Sequence, residues 1–81
     1  MKIKVQLFAA AKEFADSDSI EVDVPPTCTA SDLRCVIFER IPRLKAFGLQ
    51  LRFAVDAEYA NDETPIHETS EVACIPPVSG G

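Results

Sequence analysis

The chain has 81 residues, 47% of them hydrophobic and 26% charged, which is the composition of a single small globular domain. Its formal net charge of −5, with eight scattered basic residues, argues against nucleic acid as a partner, because phosphate binding needs clustered Lys and Arg. The sequence contains no apolar run long enough to span a bilayer, so we expect a cytoplasmic protein rather than a membrane protein.

The N-terminal residues 1–7 alternate polar and apolar side chains, which predicts a first β-strand over residues 2–8 and not a secretion signal. The next stretch, Ala9–Ala15, is rich in good helix formers and predicts a short helix. A turn rich in Asp and Ser follows, and the clean alternation of residues 20–24 then predicts a second strand that pairs with the first.

The main helix is predicted to begin after Thr29. The Thr29 side chain can cap the first turn while Asp32 returns to the Thr29 amide, in the manner of a capping box. Apolar side chains at three- and four-residue spacing predict a buried stripe of Leu33, Val36, Ile37 and Ile41. Pro42 closes the helix, and an irregular crossover that contains Gly48 is expected after it.

The second half of the chain predicts the remaining strands. Residues 51–56 and 71–75 have strand patterns, and residues 58–60 are predicted to form a short fourth strand or a strand end between them. The elements together predict an α+β fold, with a mixed sheet of four to five strands and one main helix packed on one face. A first and a last strand side by side in the middle would give the β-grasp, or ubiquitin-like, arrangement. We assign residues 1–76 to this domain and residues 77–81 to a flexible tail.

The strand phases predict an apolar patch on the open face of the sheet. If the apolar residues of the first strand face the helix, Phe8 emerges on the opposite face. The parity of the last strand is open, but with Val72 and Cys74 under the helix its other side chains face outward. The patch then contains Phe8, Ala54, Ala73 and Ile75, with Tyr59 as a further candidate. Such a patch usually marks a partner site; the alternative is that Phe8 turns inward.

The titratable side chains form no obvious catalytic or metal site. The cysteines cannot all pair, no CxxC motif exists, and a single histidine, His67, gives no Cys/His metal cluster. Cys35 and Cys74 fall in patterned apolar segments and are predicted to be buried, whereas Cys28 falls in a loop and is a candidate for exposure. His67 and the carboxylates Glu13, Asp16, Asp18, Asp62 and Glu63 are interpreted as solvated surface groups.

The C-terminal residues are the most informative part of the sequence. Gly80 and Gly81 place no side chain near the terminal carboxylate, so this end can enter a narrow channel. Pro76 and Pro77 favour an extended lead-in, and the residues 78–81 can reach roughly 13–14 Å when extended. This geometry suits a tail that carries a reactive group into another protein's active site. The alternative is an ordinary frayed terminus.

Several segments together resemble the small, sulfur-carrier subunits of molybdopterin synthases. They are Leu7-Phe8-Ala9 followed by Lys12-Glu13, the stretch 54–59, and the stretch 71–81 with its ending Pro-Pro-Val-Ser-Gly-Gly. The resemblance covers the whole chain, and its specific part is the Pro-Pro-Val-Ser-Gly-Gly ending. The sequence departs from the family at Asp56, where Asn is usual, and at residues 68–71, which replace an Asp-Gly-Asp turn.

The resemblance implies a β-grasp fold and a function for the tail. Gly81 would be adenylated by a ubiquitin-activating-type enzyme that uses ATP, and a sulfur donor protein would convert the adenylate to a thiocarboxylate. The tail (Pro76, Pro77, Val78, Ser79, Gly80, Gly81) would then insert into the large subunit of molybdopterin synthase, within a heterotetramer, and give sulfur to cyclic pyranopterin monophosphate. The resemblance places partner docking at Phe8, Tyr59 and Ile75, and it implies no permanently bound cofactor.

Other functions compatible with the same sequence remain open. A sulfur carrier for thiamine synthesis or tRNA thiolation, or a ubiquitin-like protein modifier, would share the fold and the Gly-Gly ending. The thiamine carriers resemble this sequence less, because they are shorter and lack Pro-Pro-Val-Ser before the glycines. A plain interaction module without tail chemistry is the further alternative.

Overall fold

The computed structural model describes residues 1–77. Their strands form one five-stranded sheet in the order β2-β1-β5-β3-β4. The strands are β1 (Lys2–Leu7), β2 (Ser19–Asp23), β3 (Arg52–Val55), β4 (Glu58–Tyr59) and β5 (Val72–Ile75). The central pair, β1 and β5, is parallel, and the β1–β2, β3–β5 and β3–β4 pairs are antiparallel. The predicted β-grasp arrangement, with the first and last strands adjacent in the middle, is confirmed.

Two α-helices and a 3₁₀ segment complete the fold. They are α1 (Ala9–Ala15), α2 (Ala30–Arg40) and the 3₁₀ segment Pro42–Gln50. The capping box of α2 is present: the Asp32 amide donates to the Thr29 hydroxyl oxygen at 3.4 Å, and the Thr29 amide donates to the Asp32 carboxylate at 3.0 Å. The crossover predicted to be irregular is instead made of 3₁₀ turns, interrupted at Gly48, whose φ of 54° and ψ of −131° suit glycine.

The hydrophobic core lies between α2 and one face of the sheet. Alternate residues of β1 point into it, and α2 contributes Leu33 and Ile37, both fully buried. Val36, predicted to belong to the same stripe, is only partly buried and packs against the rim of the core. The fully buried side chains of largest volume are Phe53, Ile3, Leu33, Ile37, Leu44, Leu51, Ile66, Val5, Cys28 and Cys74. The core buries one face of the sheet, so the opposite face remains exposed and is available for binding.

The cysteines differ from the prediction at two positions. Cys74 is buried as predicted, but Cys35 is exposed and Cys28 is buried. Cys28 belongs to the same buried core cluster as Ile66, which lies far along the chain and donates its amide to the Cys28 carbonyl at 2.9 Å. Burial raises the pKa of the Cys74 thiol to about 12, and burial followed by the nearby Asp32 carboxylate raises that of Cys28. Both buried thiols are therefore protonated and unreactive at neutral pH.

The β3–β4 turn contains a strained alanine. Val55 and Glu58 pair across a two-residue loop in which Asp56 and Ala57 have φ values of 52° and 70°. Asp56, where the resemblance leads one to expect Asn, tolerates this left-handed backbone and accepts a hydrogen bond from the Glu71 amide at 2.9 Å. Ala57 occupies the position that prefers glycine in such turns.

The substitution Ala57→Gly is expected to stabilise the protein by about 0.5–1 kcal/mol, because relief of the left-handed strain exceeds the added chain entropy. Urea unfolding of the two proteins measures this difference. Ala60→Gly is the matched control, since Ala60 is outside the left-handed region and should lose stability. A lower unfolding free energy for Ala57→Gly would contradict the proposed strain.

Candidate functional site

The open face of the sheet is the surface that faces away from the core. In β1 the side chains of Lys2, Lys4 and Gln6 are exposed on it, while their neighbours in sequence are buried. In β5 the alternation places Val72 and Cys74 inside and leaves Ala73 and Ile75 half-exposed. The structure therefore selects the parity that directs Ala73 and Ile75 outward, one of the two alternatives allowed by the sequence.

An apolar patch lies on this open face, at the end where β1 and β5 both finish. We call Phe8, Ala54, Tyr59, Ala73 and Ile75 the open-face patch. Ala54 lies opposite Ala73 in β5 and opposite Tyr59 in β4, which makes a continuous row across the sheet. Phe8 is 48% exposed and Tyr59 is 60% exposed, so the aromatic members present much of their surface to solvent. The predicted outward direction of Phe8 is confirmed.

The backbone holds Phe8 at the end of the central strands. Its amide donates to the carbonyl of Cys74 at 3.3 Å, which ties it to β5 just before Ile75. Phe8 keeps an extended backbone at the start of α1, with φ of −123° and ψ of 157°, and Ala9 turns the chain with a φ of 50°. The exposed ring is thus positioned by main-chain geometry and not by a loose loop.

Arg52 lies on the same face, but it was not included in the predicted patch. Its Cα partner in β5 is Ile75, and its guanidinium carbon lies 4.0 Å from the centroid of the Tyr59 ring. The strand alternation contained a signal, because Arg52 has the same outward parity as Ala54. The stacking on Tyr59 depends on the pairing of β3 with β4 and was not visible in the sequence.

The tail leaves the domain beside this patch. Pro76, which follows β5, is buried, and Pro77 is exposed. Because β5 is a central strand paired with β1 and β3, the chain exits next to Phe8 and Ile75 rather than from a sheet edge. The predicted working residues Val78, Ser79, Gly80 and Gly81 lie outside the described residues, so the domain boundary at residue 76 and the chemistry of the tail stay predictions.

The described part of the chain contains no second cluster suited to catalysis. Across residues 1–77, no group of three or more His, Cys, Asp or Glu side chains is arranged to hold a metal ion. His67 and the carboxylates assigned to the surface are exposed. Asp62, however, is paired with Arg34 at 2.8 Å instead of being purely solvated. Asp18 binds Lys12 at 2.9 Å, and this hydrogen bond, followed by the charge attraction, raises the pKa of Lys12.

None of the helices within residues 1–77 has the length and apolar character needed to cross a bilayer.

Comparison with known proteins gives a consistent set of relatives. A model of the ThiS family matches residues 5–81. The molybdopterin synthase sulfur carrier subunit of Caenorhabditis briggsae is 34% identical over 83 residues, which span 100% of this chain and 99% of that protein. SAMP1 from Haloferax volcanii is similar in structure with a TM-score of 0.83 and 28% identity, over 100% of both chains.

A more distant structure shows the same fold. It is a complex of subunits 1 and 2 of the molybdopterin-converting factor from Helicobacter pylori, with a TM-score of 0.66, 22% identity and coverage of 100% of both chains.

Proposed function

Because this chain belongs to the ThiS family, we propose that it is a molybdopterin synthase sulfur carrier subunit that works through the carboxylate of Gly81. The observation that carries the proposal is the match to a carrier subunit of that name across the whole chain, at 34% identity. The family match extends through the Gly-Gly residues. The fold adds support, since the chain leaves the central strand β5 beside an exposed apolar patch.

The proposed chemistry needs only an unhindered terminal carboxylate from this chain. An ionised carboxylate oxygen attacks the α-phosphorus of ATP, a new P–O bond forms, and pyrophosphate leaves. A persulfide sulfur of the donor protein then attacks the acyl carbon, a C–S bond forms, and AMP leaves. A second thiol cleaves the S–S bond of the resulting acyl disulfide, so that a disulfide forms on the donor side and Gly81 carries a thiocarboxylate. Neither Gly80 nor Gly81 has a β-carbon to obstruct these attacks in a closed site.

The proposal assigns the remaining groups to partner proteins. An adenylating enzyme of the ubiquitin-activating type holds the ATP, and the large subunit supplies acid and base groups for transfer of sulfur to cyclic pyranopterin monophosphate. The complex of subunits 1 and 2 from Helicobacter pylori supports the large subunit as a partner. Phe8, Tyr59 and Ile75 are proposed as the docking residues, because an exposed apolar cluster at the base of the tail guides the tail into its partner.

Intact-mass spectrometry tests this function directly. The protein is incubated with a purified adenylating enzyme, ATP and a sulfur source, and the proposed chemistry replaces one oxygen of the terminal carboxylate with sulfur. Addition of the large subunit and cyclic pyranopterin monophosphate should return the original mass and form molybdopterin. An unchanged mass after incubation with the adenylating enzyme, ATP and the sulfur source, before the large subunit is added, would overturn the proposal if an authentic carrier subunit is loaded in parallel.

Similarity to SAMP1, a small archaeal modifier protein, favours a second candidate function, that of a ubiquitin-like protein modifier. As a protein modifier, the chain would form an isopeptide bond between Gly81 and a lysine amine, with AMP as the leaving group. ATP-dependent conjugates of higher mass in a lysate would support this alternative. A loaded carrier that yields molybdopterin and no conjugates would exclude it.

The open-face patch gives a prediction about binding. Phe8→Ala is expected to weaken affinity for the large subunit by about 10–100-fold, because exposed aromatic anchors at the centre of an interface carry much of its energy. Titration calorimetry with the large subunit measures the change. Leu49→Ala is the matched control, since Leu49 is 76% exposed but lies in the 3₁₀ segment and is not part of the open-face patch. Equal losses in both variants would contradict a specific role for Phe8.

A further inference from the structure

Arg52 holds an unusual position on the open face. Its guanidinium is stacked on Tyr59 at 4.0 Å, and its strand partner is Ile75, so a positive charge sits among the residues proposed for docking. The ring restrains one flat side of the guanidinium and leaves the N–H edge directed away from the ring. The stacking therefore favours this orientation of the guanidinium before any partner binds.

The charge of Arg52 has no counterpart within residues 1–77. Lys12 and Arg34 form ion pairs with Asp18 and Asp62, but Arg52 forms none, and its N–H groups make no hydrogen bond with the described residues. The protein as a whole is acidic, with a formal net charge of −5. An uncompensated arginine at the edge of an apolar patch is complementary to a carboxylate, which it can bind through two parallel N–H···O bonds.

Arg52 lies near the docking residues and far along the chain from the reactive carboxylate of Gly81. It lies beside Ile75, at the base of the tail, and the residues 78–81 can carry the reactive carboxylate roughly 13–14 Å further when extended. Arg52 is thus remote from the phosphates of ATP and from the sulfur acceptor once the tail is extended into a partner. Its ligand belongs to the protein surface that covers the patch.

We propose that Arg52 is a specificity-determining residue, which binds a carboxylate of the large subunit next to the apolar contact made by the open-face patch. This inference rests on the proposed function, since it names a feature of the partner surface assumed there. Exclusion of water by the surrounding apolar contact strengthens the ion pair. Partner surfaces that place a lysine or an apolar group opposite Arg52 are disfavoured, because its charge would then be buried without a partner.

The test compares two arginines that both stack on an aromatic ring, one on the open face and one outside it. Arg43 also lies 4.0 Å from an aromatic centroid, that of Phe14, but in the 3₁₀ segment. Binding of the large subunit is measured for Arg52→Gln, Arg52→Glu, Arg43→Gln and Arg43→Glu at low and high salt. We expect losses of about 10–30-fold for Arg52→Gln and about 100-fold or more for Arg52→Glu, with changes below about threefold for both Arg43 variants. The salt dependence of the wild-type affinity should also decrease in Arg52→Gln.

Each outcome decides the proposal. Wild-type-like affinity of Arg52→Gln at both salt concentrations would overturn it while leaving the carrier function intact. Equal losses in Arg52→Glu and Arg43→Glu would overturn it in favour of general charge steering. A wild-type protein that does not bind the large subunit would overturn both the carrier function and the role of Arg52. Thermal unfolding confirms that the variants are folded, and Arg52→Lys, which keeps the charge, should recover part of the affinity.

Discussion

Deletion of Gly81 is expected to abolish sulfur transfer while leaving the domain as stable as the wild type. The deletion withdraws the terminal carboxylate by one residue, roughly 3.3–3.6 Å of extended chain. A displacement of only about 1 Å can reduce a reaction about 100-fold, so we expect a loss of at least about 1000-fold in molybdopterin formation. The ladder pairing of β5 ends at Ile75, far enough upstream that the deletion removes none of it.

The assay combines the purified adenylating enzyme, sulfur donor, large subunit and pterin precursor. Extension by one glycine after Gly81 should be equally inactive, because the carboxylate then overshoots its place in the closed site. Leu49→Ala leaves the tail and the open-face patch unchanged and serves as the control with retained activity. Molybdopterin formation by the truncated chain at the wild-type rate would contradict the role of Gly81, and it would favour a plain interaction module.

Arg34→Ala is expected to cause the largest loss of stability among single surface-accessible substitutions. The Arg34 side chain is 13% exposed and joins three segments of the chain. Its Nε and Nη2 atoms each donate to the Leu51 carbonyl at 3.3 Å, and Nη1 donates to the Asp62 carboxylate at 2.8 Å. Removal leaves the carbonyl of the buried Leu51 without these donors, at a cost of about 2–3 kcal/mol in the free energy of unfolding.

Urea unfolding at neutral pH measures this loss. Arg34→Lys should recover only part of it, because an ammonium group cannot reach both acceptors with the geometry of a guanidinium fork. Arg43→Ala is the control, because within residues 1–77 the Arg43 side chain forms a stacking contact with Phe14, worth about 0.5–1 kcal/mol, and no hydrogen bond or ion pair. Equal stability of Arg34→Ala and the wild type would show that Leu51 and Asp62 find other partners.

The sequence predicted the elements whose signals are local. Good helix formers predicted α1 over Ala9–Ala15, and the spacing of Thr29 and Asp32 predicted the capping box of α2. Strand alternation predicted the outward direction of Phe8. Each of these depends on residues within a few positions of one another, where backbone periodicity and capping chemistry dominate.

Two of the errors, at Cys28 and Asp62, occurred where distant segments decide the surroundings of a residue, whereas the error at Cys35 was one of helix phase. Cys28 was expected to be exposed in its loop, but it belongs to the same buried core cluster as Ile66. Cys35 was expected to be buried with the apolar residues of α2, yet it lies on the solvent side of the helix, two positions after the buried Leu33. Asp62 looked like a free carboxylate because its partner, Arg34, is 28 positions away.

The sequence was sufficient to predict the mixed sheet with one main helix, the family and the expected chemistry of the Gly-Gly ending, since these depend on local patterns and on residue identity. The folded structure was needed to establish which side of β5 faces outward and that Arg52 stacks on Tyr59. The physical reason is register: a shift of one residue between paired strands moves every side chain to the other face of the sheet. That register is set by contacts between β1, β3, β4 and β5, which the chain brings together only when it folds.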